Sequence, residues 1–296
     1  MLPGQISRKV KAIEIKTRQI VSAILSGEYH SVFKGQGLNF AEVRQYQFGD
    51  DIRHLDWKVS AKVGDPYVKL YEEERELTVI LAVDLSGSGH FGSSGQLKVE
   101  RAAEIAAVLG FSATRNNDHV GLLLFTDQVE RYIPPKKGKN HIFRLLREIF
   151  YFKPQHKGTS IRSALDFLLK TQKKKAIIIM ISDFIDQDYE QRFQQLHRRH
   201  DVLPLIISDE REKKLPKAGI VVLEDQESGE LIYVNTHSDD VRQSLKNVTY
   251  ANQLSQERFF KSIKSEPIYI SNQKDYILPL IHYFKHRMKR LSWSKN

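Results

Sequence analysis

A chain of 296 residues, 41% of them hydrophobic, holds enough apolar material for one large domain or one domain with an appendage. It contains no cysteine, which excludes disulfides, thiolate metal sites and cysteine nucleophiles. Lysine and arginine outnumber aspartate and glutamate by 46 to 36, a formal charge of +10; this permits an acidic partner, but the basic residues are scattered (Lys136, Lys137 and Lys139; Lys173 to Lys175; Lys285 to Arg290) and no nucleic-acid-binding motif accompanies them.

No apolar run approaches the roughly 20 residues of a membrane span; Ala176 to Ile181 is typical of the longest. The N-terminus, MLPGQISRKVKAIEIK, is broken by charge and lacks a signal-peptide core. These features predict a cytoplasmic protein without a membrane span.

Val10, Ile13, Val21, Ile24 and Leu25 share one face and predict a helix over 6–27, stopped by Gly27. Short alternations between Tyr29 and Phe48 (Phe40, Val43, Tyr46, Phe48) predict small strands. Gly49-Asp50-Asp51 is a turn, and Tyr67 to Tyr71 alternates as another strand. Glu72, Glu73, Glu74 and Glu76 surround Arg75. Residues 28–76 are expected to form a compact β-rich appendage beside the main sheet, which divides the chain into 1–76 and 77–296. Aspartates beside Arg44, Arg53 and Trp57 read as a structural ion-pair network rather than a second site.

From 77 onward strand and helix alternate. A strand at 77–84 leads through a Gly/Ser loop to a helix over 98–115, with Ala102, Ile105, Ala106, Leu109 and Ala113 at helical spacing. Strands follow at His119 to Phe125 and Val129 to Ile133, joined by a tight turn at Thr126-Asp127. Helix faces recur at Ile142 to Phe150 and Ile161 to Leu169. Ala176 to Ile181 and Val202 to Ile207 are continuously apolar, as strands covered on both faces are. Asp188 is expected to cap a helix running to His200. A hairpin insertion occupies about 209–236, a long polar helix 238–264, a last strand Pro267 to Ile270, and a final helix carries Ile277, Leu280, Ile281, Phe284, Met288 and Leu291. This pattern predicts an α/β fold with a doubly wound, mainly parallel sheet of Rossmann-type order.

In such a sheet ligands sit beyond the carboxyl ends of the strands, where strand order reverses. With order 3-2-1-4-5-6 that crevice lies between the first strand, which ends at Asp84, and the fourth, which ends at Asp183. The first strand continues as Asp84-Leu85-Ser86-Gly87-Ser88, one carboxylate and two hydroxyls at alternate positions. His156-Lys157-Gly158-Thr159-Ser160 precedes a helix and can bring the Thr159 hydroxyl to the same mouth. Serines at strand ends are commonly caps, so each piece alone is unspecific; their convergence is what points to a site. Asp84, Ser86, Ser88, Thr159 and Asp183 are the hard oxygen donors that magnesium or manganese takes, and these five leave a position for an outside carboxylate.

The order strand-DxSxS, Gly-Thr before a helix, then strand-Asp resembles the von Willebrand factor A domain and its metal-ion-dependent adhesion site, over 77–208. Gly35 to Tyr46, then Gly49-Asp-Asp-Ile-Arg-His-Leu-Asp-Trp57, then Glu72 to Glu76, resembles the bacterial domain-of-unknown-function family 58, as do Asp209-Glu-Arg-Glu212 and the Glu224 to Glu230 hairpin. Relatives often carry methionine after the last serine of the motif, where this chain has Gly89. The resemblance implies a non-enzymatic metal-dependent adaptor, paired with a MoxR-type AAA+ ATPase or its client.

Two rival readings are weaker. A metal-dependent hydrolase or phosphatase would use Asp84 as nucleophile, but no histidine occupies an evident base position. An electrostatic nucleic-acid binder would need only the net charge. Gly87-Ser-Gly89-His-Phe-Gly92 spells a dinucleotide fingerprint, but its third glycine does not open a helix.

Overall fold

The computed structural model describes residues 38–73, 76–93, 95–214, 216–225 and 229–293; the helix expected over 6–27 lies outside them. Two compact units divide between Leu77 and Thr78.

In the first unit, β1 (Leu38–Gln45) runs antiparallel to β2 (Tyr67–Glu73). Between them lies the short helix α1 (Trp57–Val63). The Asp56 carboxylate caps α1 by accepting from the Lys58 and Val59 N–H groups, and Gly64 ends it at φ 92°, a conformation that favours glycine. The Arg44 guanidinium donates to both Asp50 oxygens at 2.8 and 2.7 Å. Arg53 pairs with Asp51 at 2.7 Å. These aspartates close turns and caps, the structural role expected of them.

The second unit opens with β3 (Thr78–Asp84), α2 (Lys98–Arg115), β4 (His119–Phe125) and β5 (Val129–Lys136). Then come α3 (Lys139–Tyr151), α4 (Ile161–Thr171), β6 (Ile177–Ser182), α5 (Glu190–Arg199) and β7 (Asp201–Ser208). It closes with α6 (Glu210–Lys213), β8 (Ile220–Glu224), β9 (Leu231–Asn235), α7 (Asp239–Ser262), β10 (Ile268–Ser271) and α8 (Ile277–Trp293). The sheet order is β10-β7-β6-β3-β4-β5. Every neighbouring pair is parallel except β4–β5, so the sheet is mainly parallel and doubly wound. β8 and β9 form a separate hairpin.

The apolar runs of β3, β4 and β6 are buried throughout, because helices cover both faces of the sheet centre. Below the carboxyl end of β6, Phe184, Tyr189, Phe193, Phe259 and Phe260 pack with ring centroids 5.1–6.2 Å apart, mostly edge to face. This aromatic cluster joins α5 and α7 under the turn that leaves β6.

One boundary differs from expectation. Asp188 does not cap α5: Tyr189 occupies the N-cap position, and Asp188 sits at φ 60°. A left-handed residue turns the chain before the helix, whereas a side-chain cap requires an extended backbone. Among the described residues no helix is long and apolar enough to cross a membrane.

Candidate metal-binding site

Chain order reverses between β3 and β6: β4 and β5 extend the sheet on one side of β3, and β6, β7 and β10 on the other. The parallel register sets Val83 opposite Ile181, so both strands end at the same height. Asp84 and Asp183 therefore arrive at one crevice, each under 10% exposed.

Each carboxylate accepts from the backbone just beyond its own strand, and Asp84 also from the neighbouring strand. Asp84 Oδ1 accepts from the Ser86 N–H at 2.9 Å, and Oδ2 from the Ser182 hydroxyl at 2.7 Å. Ser182 Oγ in turn accepts the Phe184 N–H at 3.0 Å. Asp183 Oδ1 accepts the Ile185 N–H at 3.2 Å. Phe184 is left-handed at φ 56°, a strained conformation for a bulky residue. It is held by its ring packing and by Gln256 of α7, whose Nε2 donates to the Asp183 and Phe184 carbonyls at 3.2 and 2.8 Å.

The serines follow as the spacing requires. The chain after Asp84 enters a 3-10 turn over Gly87–His90, and the Ser86 and Ser88 hydroxyls lie 3.1 Å apart. The Gly87 N–H donates to the Lys157 carbonyl at 2.7 Å, and the Ser160 N–H to the Thr126 carbonyl at 2.9 Å. The first bond ties the loop bearing Thr159 to the Ser86–Gly87 turn, and the second ties it to the end of β4. Ser160 caps α4 through the Ser163 N–H, and Asp186 accepts the Ile161 N–H at 2.7 Å.

A cavity of about 20 Å³, room for one water or one ion, is lined by Asp84, Ser88, Ser182, Asp183 and Lys98 together with the apolar Val99, Ala102, Ile181 and Ile207. Of the five expected ligands, Ser86 and Thr159 are not among the residues lining it. Burial and the charge of Asp183 push the Asp84 carboxyl up to about 6. Two carboxylates crowded in this way are relieved by a cation. Among the described residues no group of three or more His, Cys, Asp or Glu side chains is arranged to hold a metal. Here the donors are two carboxylates supplemented by hydroxyls, a set that fits a hard divalent cation with open coordination positions.

Three residues of this mouth escaped the sequence reading. Lys98 Nζ donates to Asp183 Oδ2 at 2.9 Å and to Glu212 Oε1 at 2.6 Å, and Ser182 joins the two strand ends. Burial alone would lower the Lys98 pKa, but Asp183 and Glu212 outweigh it and raise it. The signal for Lys98 was its place four residues before Ala102 and seven before Ile105, on the buried stripe of α2. The glycine pattern 87–92 has a packing cause at its last member: a Cβ on Gly92 would fall 2.1 Å from the Gln96 carbonyl oxygen.

Sheet order, antiparallel edge strand and the Asp-x-Ser-x-Ser rim define a von Willebrand factor A-like α/β domain. The chain belongs to the family described as "Protein of unknown function DUF58", which matches residues 42–255. An uncharacterized protein of Mycobacterium tuberculosis, Rv1480, is 29% identical over 228 residues, 76% of this chain and 72% of that protein. Among solved structures, the conserved hypothetical protein BatB from Bacteroides thetaiotaomicron is 17% identical, with a TM-score of 0.48 over 72% of this chain and 99% of that one. The SpRpn10 VWA domain is 12% identical, with a TM-score of 0.38 over 71% of this chain and 95% of that one.

Proposed function

We propose that this chain is a non-enzymatic, cation-dependent interaction module acting in the cytoplasm. Asp84, Ser88 and Asp183, which line the cavity, would hold magnesium or manganese, and Ser86 and Thr159 would complete the set from the adjoining turn and loop. When bound, the ion supplies a Lewis-acidic coordination position for an acidic side chain of a partner. The observation that carries this reading is the meeting of two buried carboxylates, from strands far apart in sequence, with a pair of serine hydroxyls beside an ion-sized cavity. The chain's own part is positioning: backbone N–H groups and Ser182 fix both carboxylates, and Gln256 fixes the turn behind them.

A hydrolase would need a base beside Asp84, and among the described residues no histidine lines the cavity. The partner class, a MoxR-type AAA+ ATPase or a client presented to one, follows from the resemblance of the Gly49 to Trp57 segment and the acidic stretch after it. The test is capture of a purified MoxR-type ATPase with magnesium, with EDTA, and by Asp84→Asn, which preserves an acceptor for the Ser86 N–H. Capture is expected only for the unsubstituted chain with magnesium. Equal capture in all three arms would reject the module.

A further inference from the structure

The crevice already contains a cation of its own. Lys98 opens α2 and its side chain is only 4% exposed. Its ammonium bridges Asp183 and Glu212 and lines the same cavity as Asp84 and Ser88. Asp183 and Glu212 thus place two carboxylates on one ammonium, and Asp84 shares its cavity.

An ammonium bonded to Asp183 Oδ2 and a divalent ion on the same carboxylate repel each other. In a buried crevice neither water nor salt screens that repulsion well. Glu212 offers the ammonium another acceptor, closer than Asp183 and more exposed, at 26%. Glu212 is itself anchored: its Oε2 accepts the Asp209 N–H at 2.9 Å, completing the capping box of α6. A shift of Lys98 between its two acceptors is therefore felt by α6, the element that leads toward the β8–β9 hairpin.

We propose that Lys98 is a tethered competitor for Asp183, transferred to Glu212 when a divalent cation binds, so that occupancy of the crevice is coupled to α6. The inference rests on the cation-site reading above. Linkage makes it reciprocal: whatever strengthens the Lys98–Asp183 contact weakens the cation, and the reverse.

The test titrates Mn²⁺ alone into the full chain, counts free Mn²⁺ by electron paramagnetic resonance, and follows amide exchange over 209–214. Lys98→Met is expected to bind Mn²⁺ at least about tenfold more tightly, since a like charge is removed beside the ion. Glu212→Gln is expected to bind several-fold more weakly, because Lys98 is left leaning on Asp183. Mn²⁺ should alter exchange over 209–214 in the unsubstituted chain and not in Lys98→Met. A folded Lys98→Met with unchanged or weaker affinity overturns the competition. If that variant fails to fold, Glu212→Gln decides, and an unchanged affinity there overturns it equally. If the unsubstituted chain takes up no Mn²⁺, or Asp84→Asn takes it up as well, the cation-site reading fails and this inference with it. Binding that is lost in Asp84→Asn but unmoved in the other variants removes the competition alone.

Discussion

Asp209 is fully buried and yet held in its charged form. Burial alone would raise its pKa. Donors on three segments reverse that: the Ser93 hydroxyl and N–H, the Arg211 N–H, and the side chains of Asn272 and Gln273. The result is a pKa lowered from 3.8 to about 2. The carboxylate thereby ties the loop after the serine motif to the ends of β7 and β10. A carboxyl whose pKa is lower folded than unfolded contributes stability above its unfolded value, and loses it as pH falls through the folded one. Asp209→Asn is therefore expected to cost on the order of 2 kcal/mol in urea unfolding at pH 7. The deficit should shrink as pH falls from about 4 toward 2. An equal deficit at pH 3 and pH 7 would show that packing, not charge, is what Asp209 provides. In the sequence this residue stood out only through its Asp-Glu-Arg-Glu context, since its donors Ser93 and Gln273 lie 116 and 64 positions away.

At the scale of elements, the turn from β6 into α5 depends on α7. Gln256 satisfies two carbonyls of a strained turn, and Phe259 and Phe260 on the next turn of the same helix pack with Phe184, Tyr189 and Phe193. Gln256→Leu keeps the bulk and removes the donor. It is expected to cost about 1–2 kcal/mol, the scale of buried acceptors left unpaired. Amide exchange at Phe184 and Ile185 should quicken, while exchange in β3 stays unchanged. Unchanged exchange at that turn would mean that the ring packing alone holds Phe184. Elements such as α2, β4 and β6 were legible because their periodicity directly reports which faces are buried. The left-handed turn at Phe184 and Asp188 was not, because neither is a glycine and tertiary packing imposes the conformation. Lys98 was missed for a related reason. A lysine at the first turn of a helix normally meets solvent, and only carboxylates from two distant segments make its burial tolerable.

For the whole molecule the open question is which force brings a partner to the crevice. The formal charge of +10 supplies a long-range field that any polyanion feels, whereas the crevice supplies a short-range contact. The topology itself was readable from sequence, because strand–helix alternation with an early strand ending in Asp-x-Ser-x-Ser predicts a reversal point beside that strand, where β3 and β6 indeed meet. What alternation could not reveal is the sheet-end chemistry beyond the motif, which depends on side chains from α2, α6 and α7 packed over it. The two forces separate by their response to salt. Binding dominated by six to ten phosphate contacts weakens by about 10³–10⁵ between 50 and 200 mM salt. A single carboxylate on a partly buried ion is screened far less. Capture of the partner is therefore expected to fall by less than about tenfold over that range and to vanish with EDTA at every salt concentration. A steep salt slope that persists in EDTA would instead assign the binding to the basic surface, and the crevice would have no part in it.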